Sequence, residues 1–527
     1  MIASRTDTLR PADDTRAGAR PWGLWLERAT VGCLFLLAAC APHSIAATQA
    51  AWLLALLCWV ARLVVRPRPK LYRTPVDYAL LGFFCLTFLS ALCSYDPLVS
   101  VGKLRAASLF TIVYVVAENV RRPAVLRALA LVLVCSCLVN VAYTLGVFAR
   151  GRGVKVTALD AAGPLYAAGV RAGETLVAVD GAAANSPEEI ERGLRAARTA
   201  ADQTVRWPDG TIACRWDAAS ACLSAHRAEV LSVFNVPRAS LPAGDTAAAR
   251  LGIETWARGR DDRAKGFFGH YTTYAEALQL VGALALGLFV ALPRKRSTRG
   301  ALLAATVLAL TVALVLTVTR ASWLGFLLAA FTIALAHASR RALAFTVIIA
   351  LPLVLAGLFV LQQQRRVGFI DPREGSTAWR LVVWREGARI LVSRPRHLLV
   401  GVGMDTLKQH WRAWGMFQGG RLPWGHLHST PLQIAFERGL PALAAWLALL
   451  FTYGHMLWRL ARRGAGGDWL RRGLALGALG GLVGFATSGL VHYNLGDSEV
   501  VMIFYLIMGL ALAAHEQSRQ GEASGSV

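Results

Sequence analysis

Apolar residues fall in stretches of about twenty, the length at which a helix crosses a hydrocarbon core. There are about twelve such stretches, beginning near Leu24, Ala46, Val76, Val99, Ala124, Tyr271, Ala301, Ser322, Ala342, Pro431, Gly473 and Ser498. A chain of this kind has to satisfy its backbone within each span, so it folds as a bundle of helices. Of 527 residues, 55% are hydrophobic and 17% charged, with 56 Lys+Arg against 32 Asp+Glu for a formal net charge of +24. A soluble nucleic-acid binder can carry that charge, but it would be charge-rich throughout and would lack runs of membrane length. The expected fold class is an α-helical polytopic membrane protein of about 12 transmembrane helices, in contact with membrane lipids and with no nucleic-acid partner.

Basic clusters recur in alternate loops, at Arg62 to Arg73, Arg121 and Arg122, Arg294 to Arg299, Arg340 and Arg341, and Arg459 to Arg472. Lys and Arg are retained on the cytoplasmic side. The alternation therefore predicts both termini in the cytoplasm and two long exported segments, 149–267 and 362–429. Leu37-Ala38-Ala39-Cys40 resembles a lipoprotein cleavage box, but the apolar pattern runs on into a second span and an uncleaved first helix is expected. Seven of the nine cysteines (Cys33, Cys40, Cys58, Cys85, Cys93, Cys135 and Cys137) lie in expected spans as small apolar residues. Cys214 and Cys222 lie close together in an exported segment, where a disulfide can persist; whether they are bonded stays open. No Cys/His spacing resembles a zinc site, and no cofactor is expected.

From 149 to 222 the character changes. Charges become dense and mixed, and short β-type runs alternate with glycine turns. Gly153-Val154-Lys155-Val156, Ala162-Gly163-Pro164, and Thr175-Leu176-Val177-Ala178-Val179 before Asp180-Gly181 read as strands and turns. Ser186 then opens a helix with Pro187 at its first position, running to about Arg198. This order, with Ala167-Ala168-Gly169-Val170-Arg171-Ala172-Gly173-Glu174, resembles bacterial PDZ domains. Such domains bind extended peptides by strand addition and capture a terminal carboxylate on backbone N–H groups. The resemblance implies a peptide ligand and puts Arg152, Gly153 and Val154 near the carboxylate-binding loop; the plainer alternative is an insert that binds nothing. Segment 223–262, rich in Ala, Arg and Pro, reads as a linker.

The second exported segment, 362–429, holds 11 Lys+Arg and 4 Asp+Glu, or +7. That excess runs against the positive-inside bias, so topology does not account for it. Arginine forms paired charge-assisted bonds to phosphate oxygens, which points to an anionic partner such as a diphosphate; anionic lipid headgroups are the alternative. Residues 377–393 have helical apolar spacing, with Arg380, Glu386 and Arg389 interleaved, as in a helix lying in the membrane interface.

His428-Ser429, then nine residues, then Gly439-Leu440-Pro441-Ala442 follows. With Thr319-Arg320-Ala321-Ser322-Trp323, Ala378-Trp379-Arg380, Leu399-Val400-Gly401-Val402-Gly403, and Arg263 to Tyr271, the chain resembles the bacterial O-antigen ligase and polymerase superfamily. Ala442 departs from the second glycine usual there. The resemblance implies a GT-C-type, metal-independent glycosyltransferase at the periplasmic face of the bacterial inner membrane, acting on an undecaprenyl-diphosphate-linked glycan with inversion at the anomeric carbon. Fixed guanidinium groups would stabilise the departing diphosphate, with Arg263, Arg320 and Arg380 nominated, and His428 would be the base for the acceptor hydroxyl.

Each nomination has a plainer counterpart. Arg263 can belong to a solvated cluster with Asp261 and Asp262, Arg320 can snorkel, Arg380 can be a helix-surface charge, and His428 can be a capping or interfacial histidine. His426 and His270 are neighbouring spares, and His492-Tyr493-Asn494 with Asp497 forms a polar patch at the outer end of a late span. Lipid A-core is the leading acceptor; a second lipid-linked repeat (a polymerase) and a protein hydroxyl chosen through the PDZ-like domain are the alternatives. A transporter or a membrane scaffold is the non-enzyme reading. The expected organisation is transmembrane helices 1–5 over 1–148, a PDZ-like domain over 149–222, a linker over 223–267, helices 6–9 over 268–361, a basic catalytic loop over 362–429, helices 10–12 over 430–514, and a cytoplasmic tail over 515–527.

Overall fold

The computed structural model describes residues 21–69, 71–196, 203–206, 212–217, 219–227, 230–238, 241–242, 244–260, 263–337, 344, 375–463 and 468–525. Two compact units divide the chain: Met1–Asn140, Phe267–Leu314 and Thr319–Val527 form one, and Val141–Gly266 with Val315–Val318 the other.

The first unit is helical. Its main elements are α1 (Pro21–Cys40), α2 (Ile45–Val64), α3 (Asp77–Leu92), α4 (Thr111–Asn119) and α5 (Pro123–Arg150), the last running on into the other unit. After the second unit come α6 (Tyr271–Ala291), α7 (Thr298–Leu316), α8 (Arg320–Ala336), α9 (Gly375–Val392), α10 (Pro395–Val400), α11 (Thr430–Arg463), α12 (Trp469–Gly489) and α13 (Ser498–Gly525). Among the described residues, eight helices are long and apolar enough to cross a membrane. The stretches expected at Val76 and Ser322 form the shorter α3 and α8, the one at Gly473 forms the 21-residue α12, and the one at Ala342 lies outside the described residues. The expected tail from 515 is helical as far as Gly525, as part of α13.

Helices α6 and α13 are largely buried in the bundle, whereas α1, α2 and α7 leave most of their apolar surface outside it. Small residues let the central helices approach closely, as expected where there is no hydrophobic drive between helices in lipid. A Cβ on Gly287 of α6 would lie 2.2 Å from the Gly477 nitrogen of α12.

Helix α11 is broken near its start. Gly439 has φ 82° and ψ 170°, and Pro441, two residues on, has no N–H for the carbonyl of Glu437. That carbonyl instead accepts the N–H of Gly403 at 2.9 Å and the hydroxyl of Ser90 at 2.8 Å, while Phe436 C=O accepts the N–H of Val402 at 2.9 Å. The break thus docks the segment after α10 against α11.

The second unit is built on an antiparallel sheet in the order β7-β6-β2-β1-β8, with β3 on β2. The strands are β1 (Val154–Leu159), β2 (Thr175–Val179), β3 (Ala182–Ala183), β6 (Ser220–Arg227), β7 (Val230–Pro237) and β8 (Ile253–Arg258); β4 (Gln203–Arg206) and β5 (Ile212–Trp216) form a separate hairpin. A disulfide between Cys214 and Cys222 ties β5 to β6. Ser186 accepts the N–H of Glu189 and caps a helix of Pro187–Arg195, close to the span expected. Arg238 bonds the carbonyls of Gly193, Leu194 and Ala196 at that helix's C-terminal end and pairs with buried Asp180.

Segment 223–262 is not a linker. It supplies most of β6 and the whole of β7 and β8, and Leu223, Ala225, Val236 and Ile253 join Val154, Leu176 and Ile190 in one core. Alanine there serves as a small core residue, which a reading of composition assigns to a linker.

Candidate active site

The residues around His428 are fixed from several elements. Leu427 N–H donates to Gln433 Oε1 at 2.7 Å, and Leu427 C=O accepts Trp384 Nε1–H from α9 at 2.7 Å. Thr430, the first residue of α11, donates its N–H to His492 C=O at 3.0 Å and its hydroxyl to Asn494 Oδ1 at 2.8 Å. Between these anchors His428 takes φ +47°, a left-handed conformation uncommon for a residue with a side chain. Its half-buried ring stands edge-on to Trp379 at 5.0 Å and beside the His426 ring at 4.0 Å.

Arg380, half-buried on α9 next to Trp379, belongs to the same electrostatic group. Burial of the ring first, then its interactions with His426, Arg380, His492 and His270, push the His428 imidazole down to about 2. His426 reaches the surface, yet it is pushed down to about 4 by burial of the ring first, then by His492, Lys408 and Arg380 against the opposing field of Asp405. Burial leads at both rings, and Arg380 adds to it at each. Both imidazoles are therefore neutral at pH 7.

Beneath the histidines lies a buried charged pair on α11. Glu437 Oε1 accepts Gln433 Nε2–H at 2.8 Å and the N–H of Asp405 at 3.0 Å, while Oε2 accepts the Tyr493 hydroxyl at 3.3 Å. The Arg438 guanidinium lies 3.9 Å from Glu437, donates to Tyr493 Oη at 3.3 Å and covers the Phe83 ring at 5.4 Å. Tyr493 in turn stands edge-on to His426 at 5.6 Å. Asp405 is held by Lys103 at 3.0 Å and Lys408 at 2.9 Å. Sequence reasoning did not nominate Glu437 or Arg438. The available signal was two adjacent ionisable residues inside an apolar run, a placement that is functional by default in a membrane segment.

The late polar patch adjoins this region. His492 Nδ1 is 3.2 Å from Glu276 Oε1, and the Thr273 hydroxyl is 2.5 Å from Asp497 Oδ2. Burial first, and the carboxylates of Glu499 and Glu276 with it, push Asp497 up to about 8. His270 caps α6 through Nδ1, accepting the N–H of Thr272. Arg320 opens α8, half-buried after buried Thr319. Arg263 lies in the second unit, also half-buried; Asp261 and Asp262, its expected companions, are outside the described residues.

Arg152, Gly153 and Val154 do not offer the expected carboxylate-binding loop. Arg152 N–H donates to Gly259 C=O at 2.8 Å and Gly153 N–H to Asn185 Oδ1 at 3.1 Å, while Val154 is buried in β1 with a strand on each side. The Arg152 and Gly153 amides are bonded inside the domain, and at Val154 both edges of β1 are paired.

Fold and site together define a polytopic membrane protein whose polar groups gather where α6, α11 and α13 begin and α12 ends. Residues 304–447 match the family model described as O-antigen ligase, so this segment is similar to that family. The match runs from α7 into α11 and takes in Arg320, Arg380, His428, Glu437 and Arg438. No curated protein matches the chain.

Proposed function

We propose that this protein is an O-antigen-ligase-like glycosyltransferase that moves a glycan from undecaprenyl diphosphate to an acceptor hydroxyl, with lipid A-core as the acceptor, at the periplasmic face of the bacterial inner membrane. The observation that carries this reading is a neutral imidazole, His428, in the electrostatic field of Arg380 within the family-matched segment. Chemically, the acceptor oxygen attacks the anomeric carbon, its proton passes to His428, and the anomeric C–O bond breaks with its electron pair leaving on the diphosphate. Attack opposite the leaving group inverts the anomeric centre. Arg380, with Arg320 and Arg263 as further nominees, offsets the charge that develops on the diphosphate, a role that needs no metal.

Burial is the leading cause of the low proton affinity of His428, and Arg380 adds to it. A diphosphate bound beside Arg380 would bring negative charge to the site, and an opposite charge nearby favours the protonated imidazole. The donor substrate thereby strengthens the base that acts on the acceptor.

The test incubates purified protein with a lipid-linked glycan and offers lipid A-core, a second lipid-linked repeat, or a peptide in separate reactions. Glycosylated lipid A-core is expected, with loss of transfer in His428→Ala at unchanged expression and insertion. Wild-type transfer by His428→Ala removes His428 from the mechanism, and labelling of another acceptor reassigns the substrate.

A further inference from the structure

The left-handed backbone at His428 has to be held by something. Leu427 and Thr430 are pinned on either side, but the N–H of His428 itself is met by His426, whose Nδ1 accepts it at 3.2 Å. A side-chain acceptor on residue i that takes the N–H of residue i+2 is the arrangement of an Asx turn, which Asn and Asp make with a side-chain oxygen. Here an imidazole nitrogen stands in that oxygen's place. The bond selects the tautomer with the proton on Nε2, because Nδ1 must keep its lone pair. The ring of His426 stands between His428 at 4.0 Å and Tyr493 at 5.6 Å, and Tyr493 is itself bonded to Glu437 and Arg438. The prop therefore reaches from the buried charged pair of α11 to the nominated base.

We infer that His426 is a positioning residue whose Nδ1 closes an Asx-like turn and holds His428 in the left-handed conformation from which its imidazole takes the acceptor proton. The inference rests on the reading of His428 given above. The depressed proton affinity of His426 agrees with it, since a protonated Nδ1 could not accept the bond and the ring stays neutral down to about pH 4.

Substitutions that differ in acceptor geometry test this in the full-length protein. His426→Ala removes the acceptor and is expected to lower kcat about tenfold or more, with KM for the lipid-linked glycan little changed. His426→Asn puts an oxygen where Asx turns have theirs and is expected to restore kcat to within about threefold of wild type. His426→Gln sets its oxygen one methylene too far out and is expected to behave like alanine. Elution as a single species in detergent reports insertion, and if His426→Ala does not insert, the Asn and Gln variants carry the test. Wild-type kcat in His426→Ala, or rescue by Gln equal to that by Asn, overturns the inference. Equal loss in Ala and Asn with a raised KM overturns it too, by making His426 a substrate contact. Activity in His428→Ala sinks instead the assignment of the base, so the two failures are distinguishable.

Discussion

Replacing Gly439 with alanine asks for two things the structure does not allow. At φ 82° and ψ 170° the residue sits in a region essentially restricted to glycine, and strain there costs about 1–3 kcal/mol. An added Cβ would lie 2.3 Å from the Leu399 carbonyl oxygen, 2.5 Å from its carbon and 2.8 Å from the Val400 nitrogen. All three are backbone atoms, so no side chain can swing away, and overpacking of this kind adds about 1–3 kcal/mol. The sum, about 2–6 kcal/mol, is a large share of the stability of an ordinary domain. The segment displaced is the one whose Val402 and Gly403 amides dock on α11, next to Asp405 and its bond to Glu437. Gly439→Ala is therefore expected to lower the thermal midpoint in detergent by about 5 °C or more and to reduce glycan transfer. Ala442→Gly, one helical turn on in regular helix, is the control, with a cost of about 1 kcal/mol. A Gly439→Ala protein with the wild-type midpoint and wild-type transfer would refute the claim that this glycine is required by the break in α11.

Two further outcomes are expected. The Asp497 carboxyl is raised above its unfolded value, so the folded state keeps a proton that the unfolded chain releases; its contribution is full below about pH 4 and is lost as pH rises to about 8. Asp497→Asn is expected to flatten that part of the profile in thermal melts from pH 5 to 9, and an unchanged slope would show that Asp497 titrates normally. Arg238→Ala leaves Asp180 buried without its partner and three carbonyls uncapped, which is expected to cost about 3–5 kcal/mol. Limited proteolysis of the full-length chain should then cut within 141–266 at protease levels the wild type resists; equal resistance would contradict the role given to the pair.

Much of the candidate site was nominated from local pattern. The spacing from His428 to Gly439, and helical apolar spacing over 377–393 ahead of a helix at Gly375–Val392, are properties of neighbouring residues. Glu437 and Arg438 were harder to see because each is defined by partners far away in sequence: Asp405, Tyr493 and Phe83. Composition misled at 223–262, where a stretch that reads as linker supplies Leu223, Ala225, Val236, Leu251 and Ile253 to the core of a sheet, and at Arg152 to Val154, where the motif could not show that the Arg152 and Gly153 amides were already bonded.

By itself the sequence determined a helical membrane protein, because length and apolarity decide which stretches enter a bilayer, and it singled out the segment proposed to carry the chemistry, because the motif is short-range. Tertiary structure alone decided that Gly439 and Pro441 free two carbonyls for a neighbouring loop, that His426 is bonded to the backbone of His428, and that a buried ion pair supports them through Tyr493. These are contacts across tens to hundreds of residues or turns of specific dihedral angle. A hydrogen bond forms only when distance and angle are both met, and neither is written in the order of the residues.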